Sequence, residues 1–151
     1  MKNFTFTLES LFALRIHQEG EKLMAWAKAL QEAHAVAREC EVLRAELQQW
    51  QAFRRAQQQG VISVADLRRN HQAANEFYVR WLTRERLRQG LERRAVEAFQ
   101  TWREANRKEE ILRNLRGRAL TRWNKEREQQ EQKEIDERAT FQMARRQQQA
   151  A

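Results

Sequence analysis

The sequence contains no proline and only 4 glycines in 151 residues. Proline breaks helices most strongly, and glycine is the next most costly residue inside them, so few positions force this chain out of a helix. Alanine, leucine, glutamate, glutamine and arginine dominate instead, and their side chains lose little freedom when a helix forms. With 33% charged residues, the composition is typical of long helices and coiled coils and argues against a globular domain.

Cysteine and long apolar runs are also scarce. Cys40 is the only cysteine, which excludes an intrachain disulfide and a cysteine-based metal cluster. No apolar run approaches the ~20 residues that a membrane-spanning helix needs. Residues 1–10 lack the continuous apolar core of a signal peptide. We therefore expect a reducing, cytoplasmic location.

Disorder is the alternative to a coiled coil, because low hydropathy and many charges also suit an unfolded chain. A hydrophobic content of 41%, with 5 Trp and 7 Phe, argues against it. The net charge of +8 is uneven, since residues 1–60 carry 8 basic and 7 acidic side chains and residues 61–151 carry 21 and 14. A basic second part attracts nucleic acid, anionic lipid or an acidic protein surface, and charge alone does not choose among them.

The sequence predicts a first long helix from about residue 8 to about residue 56. Apolar side chains recur there every seven residues in two lines, whose 4–3 spacing predicts a seam packed lengthwise on another helix. Cys40 lies in one of these lines, so we interpret it as a small buried hydrophobe. One line consists of Ile16, Leu23, Leu30 and Ala37; the other consists of Phe12, Trp26, Ala33, Cys40 and Leu47, with Glu19 interrupting it.

A turn is predicted over residues 57–63, with Gly60 at the chain reversal because glycine enters positive-φ conformations without strain. Ser63 and Asp66 match the S/T-x-x-D/E capping pattern. A second helix is therefore predicted from about residue 64 to about residue 146. It carries its own seven-residue stripe, which consists of Leu91, Ala98, Ala105, Leu112 and Ala119, with Ala95, Trp102 and Trp123 flanking it.

These features predict an all-α fold, a long antiparallel two-helix coiled-coil hairpin that forms a single coiled-coil domain over residues 1–151. A turn near residue 61 places residue i opposite roughly residue 122 − i, so that Leu8 lies beside about Asn114. About thirty later residues then have no partner on the first helix. A hairpin satisfies its heptads internally, so we expect a monomer; a long parallel dimer is the alternative.

No constellation of residues supports catalysis. His17, His34 and His71 are isolated from one another and from any metal-binding motif, and the scattered glycines form no phosphate-binding loop. Carboxylates on a two-helix coiled coil face solvent, where nothing concave shifts their pKa. We therefore expect no enzymatic activity, no metal and no cofactor.

Nucleic-acid binding is a rival function, because arginine-rich stretches such as RERLR (84–88) and LERRAVE (91–97) could contact phosphates. These arginines alternate with glutamates three or four residues away, as on a solvated coiled-coil face. No continuous basic region leads into a zipper. We therefore expect no nucleic acid among the partners.

Three stretches concentrate apolar side chains beyond what one seam can cover. FTFTLESLFALR (4–15) either caps the end of the coiled coil or exposes an apolar tip to a partner. EQKEIDERA (131–139) combines a narrow stripe of Ile135, Ala139 and Met143 with opposite charges at Lys133–Glu137 and Glu134–Arg138, which predicts a preformed helix suited to a groove or ring. In NEFYVRWL (75–82), the aromatic side chains cannot all face one neighbouring helix, so this stretch is a candidate docking site.

Taken together, these stretches resemble the flagellar type III export family FliJ over nearly the whole chain. The resemblance is carried by FTFTLESLFALR with Glu19 and Glu21 after it, by the alanine-rich first helix, by GVIS at the turn and by EQKEIDERA. It implies a non-enzymatic protein whose antiparallel coiled coil is similar to the central stalk (gamma) subunit of rotary ATPases.

The resemblance also implies the partners. The paired termini would enter the hexameric export ATPase, and the protein would contact the cytoplasmic domain of the export-gate membrane protein, at the cytoplasmic face of the inner membrane. Export chaperones are further partners, and the homologous stalk of a virulence secretion system is the alternative identity. By position, the ATPase-binding residues are Phe4, Phe6, Leu8, Leu11, Gln132, Ile135, Asp136 and Glu137, and the gate-binding residues are Phe77, Tyr78, Trp81 and Leu82.

Overall fold

The computed structural model describes residues 3–150, which form two long α-helices, α1 (Glu9–Gln57) and α2 (Val64–Ala150). No strand occurs within that range. The two helices run antiparallel and pack against each other, so the predicted all-α coiled-coil hairpin is confirmed. Helix α2 continues to Ala150, a few residues past the end expected from the sequence.

The connection between the helices is short and glycine-dependent. Gly60 has a φ of 132°, a conformation that residues with side chains rarely adopt. Helix α2 then begins with a capping interaction, in which Ser63 Oγ accepts a hydrogen bond from the Asp66 N–H at 3.1 Å. Ser63 Oγ also donates to the Asp66 carboxylate at 2.6 Å. The capping predicted from the sequence is therefore present, and it satisfies an otherwise orphaned N–H at the start of α2.

Contacts divide the described chain into two compact units. We call Glu19–Glu104 the turn unit, and we call residues 3–18 together with residues 105–150 the terminal unit. Each unit contains a stretch of both helices, and each is described by itself below.

In the turn unit, aromatic side chains from both helices meet around small buried residues. The Trp26 ring lies 5.2 Å from Trp102 and 4.9 Å from Phe99, measured between ring centroids. The Glu19 carboxylate accepts a hydrogen bond from Trp102 Nε1 at 2.6 Å. This contact explains why a glutamate interrupts an otherwise apolar line, since the buried indole N–H needs an acceptor. The small buried residues are Ala33, Val36, Cys40 and Ala95.

One of the two predicted seam lines on α1 is wrong. Ile16, Leu23 and Leu30 are exposed, and only Ala37 of that line is half-buried. The packed line lies one residue earlier, where Arg15 is half-buried and donates from Nη1 to Gln18 Oε1 at 3.0 Å. Arg15 and Lys22 are charged and therefore interrupt the apolar repeat of the packed line. For that reason the sequence pattern indicated the apolar residues one position later. The seam residues of the corrected line are Arg15, Ala29, Val36, Leu43 and Trp50.

The predicted stripe on α2 does face α1. Each of its residues is buried or half-buried, as are the three residues that flank it. A repeat of seven was sufficient here because no charged residue interrupts this line of alanines and leucines. The members are Leu91, Ala98, Ala105, Leu112 and Ala119, with Ala95, Trp102 and Trp123.

In the terminal unit, residues before α1 pack along α2. The Phe4 ring lies 5.9 Å from the Trp123 ring, and the Arg116 guanidinium lies over both Phe4 and Phe12 at about 6 Å. Arg116 Nε also donates to the Glu9 carboxylate at 3.0 Å. In the terminal unit, therefore, Phe4 packs on Trp123, and Arg116 contacts two aromatic rings and one carboxylate.

The register differs slightly from the prediction. The facing pairs Glu39–Arg84, Glu9–Arg116 and Trp50–Phe77 have residue numbers that add up to 123, 125 and 127, against roughly 122 in the prediction. Phe4–Trp123 also adds up to 127. The offset of a few residues is therefore present in both units.

We expect Ser63→Ala to lower the free energy of unfolding by about 1 kcal/mol, because the capping oxygen at the start of α2 is lost. Equilibrium urea denaturation followed by circular dichroism measures this change. Ser10→Ala is the control, since Ser10 is exposed and its hydroxyl accepts no capping hydrogen bond from another described residue. An equal loss in the two variants would contradict a capping role for Ser63.

Candidate protein-binding surfaces

The last part of α2 is exposed along its whole length. Every residue from 128 to 150, which we call the exposed segment, lies open to solvent. The predicted apolar stripe is present on it, with Ile135 59% exposed and Met143 68% exposed, and Phe141 beside it is 72% exposed. Arg127 is the last half-buried residue of α2, so the exposed segment begins directly after it.

The polar contacts within the exposed segment differ from the prediction. Gln132 Nε2 donates to the Asp136 carboxylate at 2.9 Å, and Thr140 Oγ1 donates to the Asp136 carbonyl at 2.8 Å. Among the described ion pairs, neither Lys133–Glu137 nor Glu134–Arg138 is formed. Long exposed side chains gain little from pairing in water, and ordering them costs entropy.

The amino-terminal stretch divides between packing and exposure. Phe4 and Phe6 are half-buried, and Phe4 packs on Trp123. Leu8 and Leu11 are exposed. Both interpretations offered for this stretch therefore hold in part, because its first phenylalanine covers the coiled coil and its leucines remain open.

The structure places all eight residues of the expected ATPase-binding set in the terminal unit. Gln132 follows Trp123, the ring that Phe4 packs on, by nine residues, or about 14 Å along the helix axis. Gln132, Ile135, Asp136 and Glu137 are all exposed. One partner surface of ordinary size could therefore contact both the amino-terminal stretch and the exposed segment.

The expected gate-binding residues lie in the turn unit, and they differ in exposure. Phe77 packs on the Trp50 ring at 5.9 Å and carries the Arg80 guanidinium over it at 4.6 Å. Trp81 and Leu82 are half-buried. Tyr78 is 53% exposed, with its ring 6.1 Å from the Trp81 ring. Tyr78 is thus the residue of this set that is most open to a partner.

A polar cluster lies beside Trp81 on α2. Arg88 donates to the Glu85 carboxylate from Nε at 2.9 Å and to the Glu92 carboxylate from Nη1 at 2.6 Å. Glu85 and Arg88 line a groove of about 560 Å³ that also includes Trp81 and Cys40. The alternation of arginine and glutamate in the sequence indicated pairs of this kind, but it did not indicate that they lie beside Cys40 of α1.

The cluster sets the protonation of its members. Hydrogen bonds from Arg88 hold the pKa of the Glu85 carboxyl below its usual value. Burial, followed by the nearby Glu85 charge, raises the pKa of the Cys40 thiol. Cys40 is therefore a protonated, buried thiol at neutral pH, as its place in the seam suggested.

Two kinds of site are not found in the part of the chain that the structure describes. Over residues 3–150, no three His, Cys, Asp or Glu side chains gather where they could hold a metal ion. Neither α1 nor α2 contains an apolar stretch of membrane-spanning length within that range.

A family model described as "Flagellar FliJ protein" matches residues 4–148, which include all of α1, all but the last two residues of α2 and every residue of the two expected binding sets. Comparison with curated proteins and with solved structures gave no match.

We expect Glu85→Gln to destabilise the fold at neutral pH and to have less effect in acid. Because the folded pKa of Glu85 is lowered, its stabilising contribution is complete above the unfolded value of about 4.3 and is lost as pH falls through the folded value. Urea denaturation of wild type and variant from neutral pH to about pH 3 measures the difference.

Glu46→Gln is the control for this series, since Glu46 is exposed and forms no ion pair with another described residue. It should change stability by less than about 0.5 kcal/mol. A difference between wild type and Glu85→Gln that stays constant down to the lowest pH would contradict the assigned role of the Arg88–Glu85 pair.

Proposed function

Because the chain belongs to the flagellar FliJ family and is a component of the flagellar protein-export apparatus, we propose that it acts there as a central stalk and general chaperone. The terminal unit binds the hexameric export ATPase, and the turn unit binds the cytoplasmic domain of the export-gate membrane protein. The protein itself carries no catalytic site, needs no cofactor and works in the cytoplasm at the inner membrane, where export chaperones are further partners.

The exposed segment is the observation that carries this proposal. It remains helical over 23 residues although none of them is covered by α1. Most of the stability of a helix in a protein comes from packing of its apolar face, and the apolar stripe of Ile135 and Met143 has nothing to pack on inside the described chain. A surrounding partner such as an ATPase ring would supply the missing apolar contacts, as helix-in-groove complexes do.

The amino-terminal stretch supports the same partner. Leu8 and Leu11 are exposed next to Phe4 and Phe6, which are themselves only half-buried. Complete burial of such a side chain contributes on the order of 1–3 kcal/mol. The amino-terminal stretch and the exposed segment thus provide two apolar anchors in the terminal unit. A partner that contacts both loses less entropy on binding, because the fold already holds them in place.

The turn unit offers a smaller surface for the export gate. Tyr78 presents an apolar ring and a hydroxyl, a combination enriched at protein interfaces. Trp81 and Leu82 are half-covered beside it, so a partner can complete their burial. The family match favours the flagellar apparatus over the homologous stalk of a virulence secretion system.

We expect the double variant Phe6→Asp with Ile135→Asp to lose stimulation of the export ATPase and to bind the hexamer at least about tenfold more weakly. Each substitution places a charge where the partner would bury an apolar side chain. Steady-state ATPase assays and pull-down with the purified hexamer provide the measurements. Circular dichroism confirms that the variant remains helical.

Gln130→Asp is the matched control, because Gln130 is exposed in the same segment but lies outside the apolar stripe. It should stimulate the ATPase as the wild type does. Full stimulation by the double variant would remove the assignment of these residues to the ATPase.

For the gate surface, we expect Tyr78→Asp to weaken binding to the cytoplasmic domain of the gate protein by about tenfold, since an aromatic anchor is replaced by a charge. Val79→Asp is the control, because Val79 is also 53% exposed but lies on a neighbouring face of α2. Titration calorimetry with the isolated gate domain distinguishes the two variants. Equal losses, or no loss in either, would mean that Tyr78 is not a specific contact.

A further inference from the structure

A stretch of α2 in the terminal unit is unusually basic. Residues 113–127 contain six arginines or lysines and a single acidic residue, Glu126. Neither binding set of the proposed function includes any of them. Three of the six have intramolecular roles: Arg113 pairs with Glu109, Arg116 with Glu9, and Arg127 with Glu131.

The other three cations lie on one face of α2. Arg118, Arg122 and Lys125 follow the spacing i, i+4, i+7, which places them in a row on one side of the helix over about 10 Å. All three are exposed, and none forms an ion pair with another described residue. Together with Asn114, Thr121 and nearby Arg113, they line a shallow groove of about 680 Å³.

Gly117 lies in the floor of this groove. A glycine in an exposed helix interior destabilises it relative to alanine, and no packing contact explains this one, because a Cβ built on Gly117 would meet nothing within 4 Å. Thr121 Oγ1 donates a hydrogen bond to the Gly117 carbonyl at 3.0 Å, which holds the Thr121 side chain close to the helix backbone. Because Gly117 has no side chain, another chain could approach the α2 backbone closely at this position, beside the three cations.

We propose that this groove binds an acidic helix of the partner that holds the terminal unit, with carboxylates spaced to meet Arg118, Arg122 and Lys125 and its backbone lying against Gly117. The inference rests on the proposed function and adds the chemistry of the contact. Glu126 and Glu128 adjoin the groove, and Glu110 precedes it. These carboxylates repel a continuous phosphate backbone or an anionic bilayer, but a single helix with discrete charges avoids them.

The test compares charge reversal in this groove with the same reversal elsewhere. The groove variant carries Arg118→Glu, Arg122→Glu and Lys125→Glu. The control carries Arg86→Glu, Arg93→Glu and Arg94→Glu, which lie around Gly90 in the turn unit and are equally exposed. Affinity for the purified export ATPase hexamer is measured at about 0.05 M and about 0.3 M salt. A version with glutamine at the three groove positions provides charge removal without reversal.

We expect the wild type to bind more weakly at the higher salt concentration. The groove variant should bind about tenfold more weakly than wild type at low salt and lose most of the salt dependence, because the attraction between the three cations and the partner's carboxylates is removed. The glutamine version should lie between them. The control triple should bind within about threefold of wild type.

A second arm tests the close approach without changing charge. Gly117→Leu fills the groove, and because nothing lies within 4 Å of that position, the helix itself should not be destabilised and Tm should stay equal or rise. Binding to the hexamer should nevertheless weaken by at least about tenfold. Gly90→Leu is the control, since Gly90 is equally open, and it should leave binding unchanged.

The outcomes separate this inference from the proposed function. If wild type does not bind the hexamer, both fail. If Phe6→Asp with Ile135→Asp abolishes binding while the groove variants bind as wild type does, only the groove assignment fails. It also fails if the two triple variants lose affinity equally. Binding of wild type to duplex DNA or to phosphatidylglycerol vesicles, lost in the groove variant while hexamer binding persists, would assign the groove to a polyphosphate or lipid instead.

Discussion

A narrow interface between two helices, in which aromatic rings from both sides meet, is the constraint on which the rest of the structure depends. Among the described residues only Ala33, Val36, Cys40, Ala95, Leu112 and Glu109 are buried. Two helices can cover only one side of each other. The hairpin is therefore stabilised mainly by half-buried contacts such as Trp26 with Trp102, each of which contributes about 0.5–1.5 kcal/mol beyond its area.

The same constraint explains why so much apolar surface is exposed. A seam one helix wide uses about two residues in seven, yet 41% of this chain is hydrophobic. The surplus lies at Leu8 and Leu11, at Tyr78, and along the exposed segment at Ile135 and beyond. In a globular domain these side chains would enter a core. Here they remain available to partners, which accords with a component of a larger export machine.

Much of the fold followed from the sequence. The near absence of helix breakers, the glycine at the turn and the Ser63–Asp66 cap together predicted two helices and a reversal, and Gly60 with φ 132° marks that reversal. The stripe on α2 was predicted correctly because no charge interrupts it. The line through Ile16, Leu23 and Leu30 was wrong because the seam tolerates Arg15, whose stem can pack while its head stays in water.

The candidate surfaces were less accessible to sequence reasoning. A seven-residue repeat indicates which side of a helix packs against a neighbouring helix, but it does not indicate which residue of that helix lies opposite. For that reason the bond between Glu19 and Trp102 and the position of Cys40 beside Glu85 and Arg88 were missed. The split between a half-buried Phe4 and an open Leu8 also depends on how the residues before α1 pack on Trp123. Exposure of residues 132–137, by contrast, follows from chain length and the turn position, and the sequence indicated it.

We propose that a partner covers the exposed segment, a helix that no other part of the described chain supports. Hydrogen–deuterium exchange on the protein alone and bound to the export ATPase hexamer tests it most directly. Amides of residues 128–150 should exchange rapidly in the free protein, far faster than those around Leu112 and Trp102, and should become protected in the complex. Slow exchange of this segment in the free protein, or exchange unchanged by the hexamer, would contradict the account.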